Sequence, residues 1–178
     1  MVCYLAMRRW SALVVLFITT ATSILVGDGT RRNFPRPIGY VNDFANVIDA
    51  KTKKQLDALC TELDQKTNAQ IALVTVQTLA DSSIEEYALH LFNEWGIGHK
   101  DDNRGLLILL AMGERKSRIE VGRGLETLFP NKRVAAIVAN MVPDLKVHHY
   151  SQAMLTCTKT LASVVAQEKH VQLRSLGQ

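Results

Sequence analysis

The chain of 178 residues is 47% hydrophobic and 21% charged, a balance that predicts one folded domain with a core of its own. Its formal net charge is +4, and only 6% of its residues are aromatic. A basic excess this small, without a stripe of lysines and arginines interleaved with aromatic residues, argues against a nucleic-acid partner.

The first 23 residues have the layout of a targeting segment. Arg8 and Arg9 precede the apolar stretch 11–18, and the small residues 21–23 fit a cleavage site. We therefore expect a signal peptide over residues 1–23, with an uncleaved anchor as the alternative. Either case predicts an exported protein that is periplasmic, secreted or held at a membrane by its N-terminus.

Residues 24–37 are rich in glycine, proline and arginine, a composition that predicts a linker. Arg31, Arg32 and Arg36 lie close together in this stretch. They either contact anionic lipid headgroups at a membrane surface or form a solvated tether.

The rest of the chain alternates helical and strand patterns. Helices are predicted over residues 50–66, from Ser82 or Ser83 to Trp95, over 132–141 and over 150–167, and strands over 71–76, 105–111 and 118–121. Asp49 and Asn131 are the expected N-caps of the first and third helices, and Pro143 is expected to end the third. Residues 168–178 are predicted to be a frayed polar tail.

These elements predict a single three-layer α/β domain over residues 38–167, with a small mixed central sheet and helices on both faces. The strand 105–111 has no polar residue, so it is expected in the middle of the sheet. The alternating strand 118–121 is expected beside it, after a short hairpin. The polar turn 101–104 and the glycine-rich turn 122–126 should then lie at the same end of the sheet.

Four ordered blocks of sequence resemble one known family. The blocks are Val41-Asn42-Asp43-Phe44-Ala45, Trp95-Gly96-Ile97-Gly98, Asp101-Asp102-Asn103-Arg104-Gly105 and Arg118-Ile119-Glu120-Val121-Gly122-Arg123-Gly124-Leu125-Glu126. They are similar to the TPM domain, which occurs in a thylakoid acid phosphatase, a photosystem II repair protein, an acetylcholine-receptor modulator and bacterial envelope proteins. The resemblance covers residues 38–167 and implies the same layered architecture.

The acidic residues suggest a cation site. Asp43 and Asp102 are the candidate ligands for Ca²⁺ or Mg²⁺, with Asn103 or a loop carbonyl group assisting and with Asp101 and Glu126 as further candidates. The competing interpretation is that these acids stabilise turns. We expect Asp43 and Asp102 to lie close together.

The second candidate is an anion-binding site. Gly122 and Gly124 allow backbone N–H groups to face a phosphate, and Arg123 or Arg104 supplies positive charge. The alternative for the glycines is a tight strand exit that needs positive φ.

The cysteines and histidines indicate no zinc site, because neither shows metal-ligand spacing. Cys60 and Cys157 lie on predicted core faces, either as two buried thiols or as a disulfide.

Two hypotheses of function follow from the resemblance. The first is a binding or assembly module that acts near the membrane, as part of a membrane-associated protein complex. The second is an acid phosphatase that depends on Ca²⁺ or Mg²⁺. The first is favoured because the sequence offers no evident nucleophile, and because Pro130-Asn131 replaces the Pro-Asp that is common in the family.

Overall fold

The structure, a computed structural model, describes residues 34–177. Four strands are named β1 (Val41–Asp43), β2 (Gln70–Val76), β3 (Gly105–Ala111) and β4 (Lys116–Val121). Four helices are named α1 (Ala50–Thr67), α2 (Ile84–Trp95), α3 (Asn131–Lys146) and α4 (Tyr150–Glu168). Short 3-10 helices cover Arg123–Leu125 and Arg174–Gly177.

The four strands form one mixed sheet in the order β1-β2-β3-β4. The first three strands are parallel, and β4 pairs with β3 in the antiparallel direction. Every residue of β3 is buried, so the predicted central strand is confirmed. β4 is half-buried and has one neighbour among the strands of residues 34–177, which makes it an edge strand of the described sheet.

The sheet separates two hydrophobic layers, as the three-layer prediction requires. One layer joins alternate strand residues such as Leu73 and Ile108 to α1, α3 and α4. The other joins the intervening residues, such as Val74 and Leu109, to α2. Because successive strand residues point to opposite faces, both faces of β2 and β3 are covered.

Most helix ends follow the signals in the sequence. The Asp49 side chain accepts a hydrogen bond from the Thr52 amide (2.9 Å), and the Ser83 side chain caps α2 in the same way. Asn68 and Gly96 end α1 and α2 in the left-handed conformation, with φ of 54° and 61°.

The prediction for α3 is wrong at both ends. Pro130 is the N-cap and no side chain caps the helix, while Asn131 is already helical. The helix then passes through Pro143 to Lys146. Pro143 lies on the exposed side of the helix, and Leu145, one turn after the buried Met141, still packs against the core. This packing offsets the hydrogen bond that proline cannot donate.

Both segments expected to be loose contact the domain. Phe34, in the predicted linker, is buried in an edge-to-face contact with Tyr87. In the predicted tail, the Glu62 carboxylate accepts hydrogen bonds from the Arg174 and Ser175 amides, 3.0 and 2.9 Å away. These hydrogen bonds hold the segment against α1, so the prediction of a frayed tail is wrong. The sequence does not show that a carboxylate on α1 accepts hydrogen bonds from these amides.

The predicted signal peptide or anchor, with Arg31 and Arg32, lies outside the described residues, whereas Arg36 is described and exposed. Within residues 34–177, no helix is long and apolar enough to cross a membrane.

Candidate functional site

Asp43 and Asp102 lie at opposite ends of the sheet, so the expectation that they meet is wrong. Asp43 ends β1 and pairs with Thr75 near the end of β2. Asp102 precedes β3, whose first residue pairs with Gln70 at the start of β2. The two levels are five residues of strand apart, or about 16 Å. The parallel direction of the strands explains the error. The end of one parallel strand and the start of its neighbour lie at opposite ends of the sheet.

Asp43 is fully engaged in holding the turn that leads into α1. Its Oδ1 accepts hydrogen bonds from the Val47 amide (3.0 Å) and the Thr75 hydroxyl (2.6 Å). Its Oδ2 accepts one from the Ile48 amide (3.0 Å) and pairs with Lys53 Nζ (2.7 Å). Burial raises the pKa of this carboxyl group, but the hydrogen bonds from Lys53, Thr75 and the two amides outweigh burial and lower it below its ordinary value. The turn-stabilising interpretation of Asp43 therefore describes its geometry.

The acidic turn before β3 is stabilised by local hydrogen bonds. Asp102 accepts from the Asn68 side chain (2.7 Å) and from the Arg104 amide (3.2 Å). Asp101 and Asn103 are exposed, and Asn103 has a φ of 54°. Among residues 34–177, no three His, Cys, Asp or Glu side chains are grouped so as to hold a metal ion. Binding of Ca²⁺ or Mg²⁺ by this turn stays a prediction.

The glycine turn after β4 lies against the acidic turn, as predicted. The Gly122 amide donates to the Gly105 carbonyl (2.8 Å), and the Gly124 amide donates to the Asn103 carbonyl (3.2 Å). Neither Gly122 nor Gly124 has positive φ, so that expectation is wrong. Each lies so near a carbonyl oxygen, of Asn103 and Asp102 respectively, that a Cβ atom would collide with it. Both amides are committed to this packing, so the expectation that they face an anion is also wrong.

The two arginines of the predicted anion site differ in their surroundings. Arg104 is mostly buried and pairs with Glu168 (Nη2 to Oε2, 2.8 Å). Its buried Nε has no hydrogen-bond partner within the described part of the chain. Arg123 and Glu126 are exposed. Anion binding by Arg123 stays a prediction, while Arg104 mainly joins the start of β3 to the end of α4.

A polar cluster that was not predicted from the sequence lies at the end of the sheet where β3 begins. Asp64 on α1 accepts a hydrogen bond from the Tyr40 hydroxyl (2.7 Å) and pairs with His99 Nε2 (2.7 Å). The hydrogen bond to Asp64 raises the pKa of His99 above its ordinary value, since it favours the charged imidazole. Asp64 is 24 positions from Tyr40 and 35 positions from His99 in the sequence, so no local pattern identifies the cluster.

A cleft of about 1020 Å³ lies between β4 and α3. Ile119 and Val121 on the strand and Val134 and Val138 on the helix provide apolar walls. Glu126 borders the cleft.

A second cleft of about 470 Å³ adjoins the first and shares Ser117 with it. Arg115, Lys146 and His148 line this second cleft. The two clefts together form a groove along β4, which we call the edge groove. It is acidic at the end of β4, near Glu126, and basic at the start of the strand.

Comparison with known proteins identifies the family. The family model described as the TPM domain matches residues 41–164. The chain belongs to the TPM domain family. The resemblance noted in the sequence is confirmed over most of its expected range.

Two chloroplastic UPF0603 proteins, from the indica and japonica subspecies of Oryza sativa, are 24% identical to this TPM domain protein over 128 residues. The match covers 71% of this chain and 43% of each rice protein, so the chain spans less than half the length of these curated relatives.

Three solution NMR structures share the fold. The N-terminal domain of a protein from P. gingivalis has 22% identity and a TM-score of 0.69, covering 76% of this chain and 87% of that one. The N-terminal domain of a Corynebacterium glutamicum protein has 15% identity and a TM-score of 0.57, with 74% and 83% covered. The BA42 protein of Bizionia argentinensis has 13% identity and a TM-score of 0.58, with 72% and 92% covered.

The asparagine that stands where the resemblance implies an aspartate borders the edge groove. Asn131 begins α3 and borders the larger cleft together with Glu126. An amide there leaves Glu126 and Glu120 as the acids that line this cleft.

The thiols of this TPM domain are buried and unpaired. Cys60 and Cys157 are both free, so the interpretation as two buried thiols is confirmed. Burial raises the pKa of Cys157 to about 12 and that of Cys60 further. Because the thiolate is the reactive form, neither sulfur is prepared for nucleophilic attack.

Proposed function

We propose that this TPM domain is a polypeptide-binding module that takes an extended segment of a partner into the edge groove. The observation that carries the proposal is the cleft of about 1020 Å³ beside the open edge of β4. An extended peptide that adds a strand to such an edge gains affinity from main-chain hydrogen bonds, and the neighbouring pocket supplies specificity.

The free edge of β4 presents hydrogen-bonding groups at alternate residues. Gly122 donates to the carbonyl of Gly105, the residue directly opposite it, so this pair is hydrogen-bonded. In an antiparallel ladder such pairs alternate. Glu120 and Arg118 therefore point their backbone groups toward β3, while the backbone groups of the residues between them point outward. The outward set is Ser117, Ile119 and Val121.

The side chains of the same outward set also face α3. Ile119 and Val121 belong to the layer that joins the sheet to α3 and α4. A bound strand would thus lay every second side chain against Val134 and Val138, which are only partly buried. The exposed small side chains of Ala135 and Ala139 border the same cleft and leave space for the occupant.

Metal-dependent phosphatase activity is the alternative that the family offers. It is less well supported by this geometry, because Asp43 is occupied by four partners remote from Asp102. The predicted compartment and closeness to a membrane depend on residues 1–33, and we retain both as part of the proposal.

The proposal is tested with a displayed library of short random peptides selected on the purified full chain. Selected peptides should be extended, with apolar residues at every second position. Binding should raise the fluorescence anisotropy of a labelled peptide. Ala139→Glu places a charge in the cleft and should abolish binding. The matched control is Ala136→Glu, an exposed position of α3 outside the cleft lining, which should preserve it. Equal binding by both variants would show that the occupant lies elsewhere.

A further inference from the structure

We propose that the strand that enters the edge groove is β4 of a second copy of this chain, so that two sheets join across a two-fold axis at Ile119. This inference rests on the proposed function and names its partner. It follows from the register that the hydrogen-bonding pattern allows, from the charges on β4, and from the charges along the groove.

The hydrogen-bonding pattern limits the register. Two antiparallel edges bond only where outward-facing residues stand opposite each other. The outward set of β4 is Ser117, Ile119 and Val121. In three pairings, at least two of these residues face an outward residue of the partner copy. The two-fold axis of these pairings lies at position 118, 119 or 120.

The charges choose among these three pairings. An axis at Arg118 pairs Lys116 with the partner copy's Glu120 but places the arginine opposite its own copy. An axis at Glu120 places the glutamate opposite its own copy and forms no pair of opposite charges. Like charges directly opposite each other destabilise a strand pair. An axis at Ile119 instead pairs Arg118 with the partner copy's Glu120, and it does so twice because of the symmetry. Serine and valine then pair across the axis, as do the two isoleucines.

The charged pairs also lie where side chains come closest. Arg118 and Glu120 point their backbone groups toward β3, so across the new edge they occupy non-hydrogen-bonded positions, where opposing side chains are nearest. Both are partly exposed, at 33% and 18%, and Arg118 Nε contacts Glu120 Oε2 within the strand at 2.9 Å. Pairing would exchange this contact for two between copies.

The polarity of the groove agrees with this occupant. An antiparallel strand enters at the acidic end near Glu126 and leaves at the basic end near Arg115 and Lys146. β4 begins with Lys116 and carries its acid at Glu120. Its basic start therefore meets the acidic end of the groove, and its acidic end meets the basic one.

The test uses charge reversal and sedimentation velocity of the purified full chain over a concentration series. Wild type should dimerise. Arg118→Glu and Glu120→Arg should each weaken the dimer by about tenfold or more, since each makes both cross-strand pairs repulsive. Mixing the two variants should restore a dimer, because each supplies the charges that the other lacks, and the double variant should dimerise alone. Lys54→Glu, a matched charge reversal at an exposed position of α1, should leave dimerisation intact.

Circular dichroism melting checks that every variant is folded. If wild type is monomeric throughout the series, or if both single variants dimerise like wild type, the proposed pairing is wrong. If the mixture of the two folded single variants stays monomeric, the register at Ile119 is wrong. A monomeric wild type that still binds library peptides in a manner sensitive to Ala139→Glu would overturn the self-pairing alone, whereas failure of peptide binding would overturn the proposed function.

Discussion

Replacing Asp43 with asparagine tests whether this acid stabilises the fold or binds a cation. Its side chain is only 3% exposed and accepts hydrogen bonds from four groups, the Val47 and Ile48 amides, the Thr75 hydroxyl and Lys53 Nζ. Asparagine keeps one acceptor oxygen but places an NH₂ group where Oδ2 faced the Ile48 amide and Lys53. The Ile48 amide and Lys53 Nζ, both hydrogen-bond donors, then face another donor. The turn before α1 also loses its negative charge.

The expected magnitude follows from these contacts. A hydrogen bond to a charged group contributes about 1.5–3 kcal/mol, and a buried donor left without a partner costs about 1–3 kcal/mol. Lys53 is 36% exposed, so water replaces most of its contact and little is added for it. We expect Asp43→Asn to lower the free energy of unfolding by about 2–4 kcal/mol.

The assay is urea denaturation of wild type and variant in EDTA and again in excess Ca²⁺. The matched control is Asp57→Asn, an exposed acid on α1, which should change stability by less than about 0.5 kcal/mol. The loss at Asp43 should be the same with and without Ca²⁺. Because its folded-state pKa is lowered, its contribution is present above the ordinary aspartate pKa and disappears as pH falls through the lowered value. A loss below about 1 kcal/mol, or one seen only with Ca²⁺, would refute the assignment.

Three further predictions concern the core, the polar cluster and the C-terminal segment. Leu109→Ala should cost about 2–5 kcal/mol in urea denaturation, because Leu109 is fully buried in the α2 layer, and a loss below about 1 kcal/mol would contradict its central place. His99→Gln should reduce stability more at about pH 5.5 than at about pH 9. The raised pKa of His99 means that its charged form stabilises the fold below the unfolded-state pKa, and this contribution is lost as pH rises through the folded-state pKa. Equal losses at the two pH values would exclude charged pairing with Asp64. Glu62→Ala should speed amide exchange at Ser175, as measured by NMR, with unchanged protection there as the contrary result.

The regular elements were predictable because their signals are local. The apolar run of β3 and the helical spacing of α1, α2 and α4 depend on neighbouring residues, and the caps at Asp49 and Ser83 act within one turn. β1 was missed because it has three residues, two of them polar, too few for a period to show. It forms because β2 provides a parallel edge for it.

The candidate site was predictable only in part, because its geometry depends on strand direction. The contact between the turns 101–104 and 122–126 followed from a hairpin. The position of Asp43 depends on the parallel pairing of β1 with β2. Because β1 was not predicted, the separation of Asp43 from Asp102 could not be predicted either. The edge groove also escaped prediction, since it depends on α3 continuing past Pro143 and on β4 ending the sheet.

The most direct test of polypeptide binding is amide hydrogen exchange along β4, followed by NMR with and without a selected peptide in protein dilute enough to be monomeric. Proposed binding by strand addition predicts slower exchange at Ser117, Ile119 and Val121, whose amides face outward. Arg118 and Glu120 should change little, because their amides already face β3. If the bound peptide leaves the three outward amides exchanging as fast as before, strand addition at this edge is contradicted.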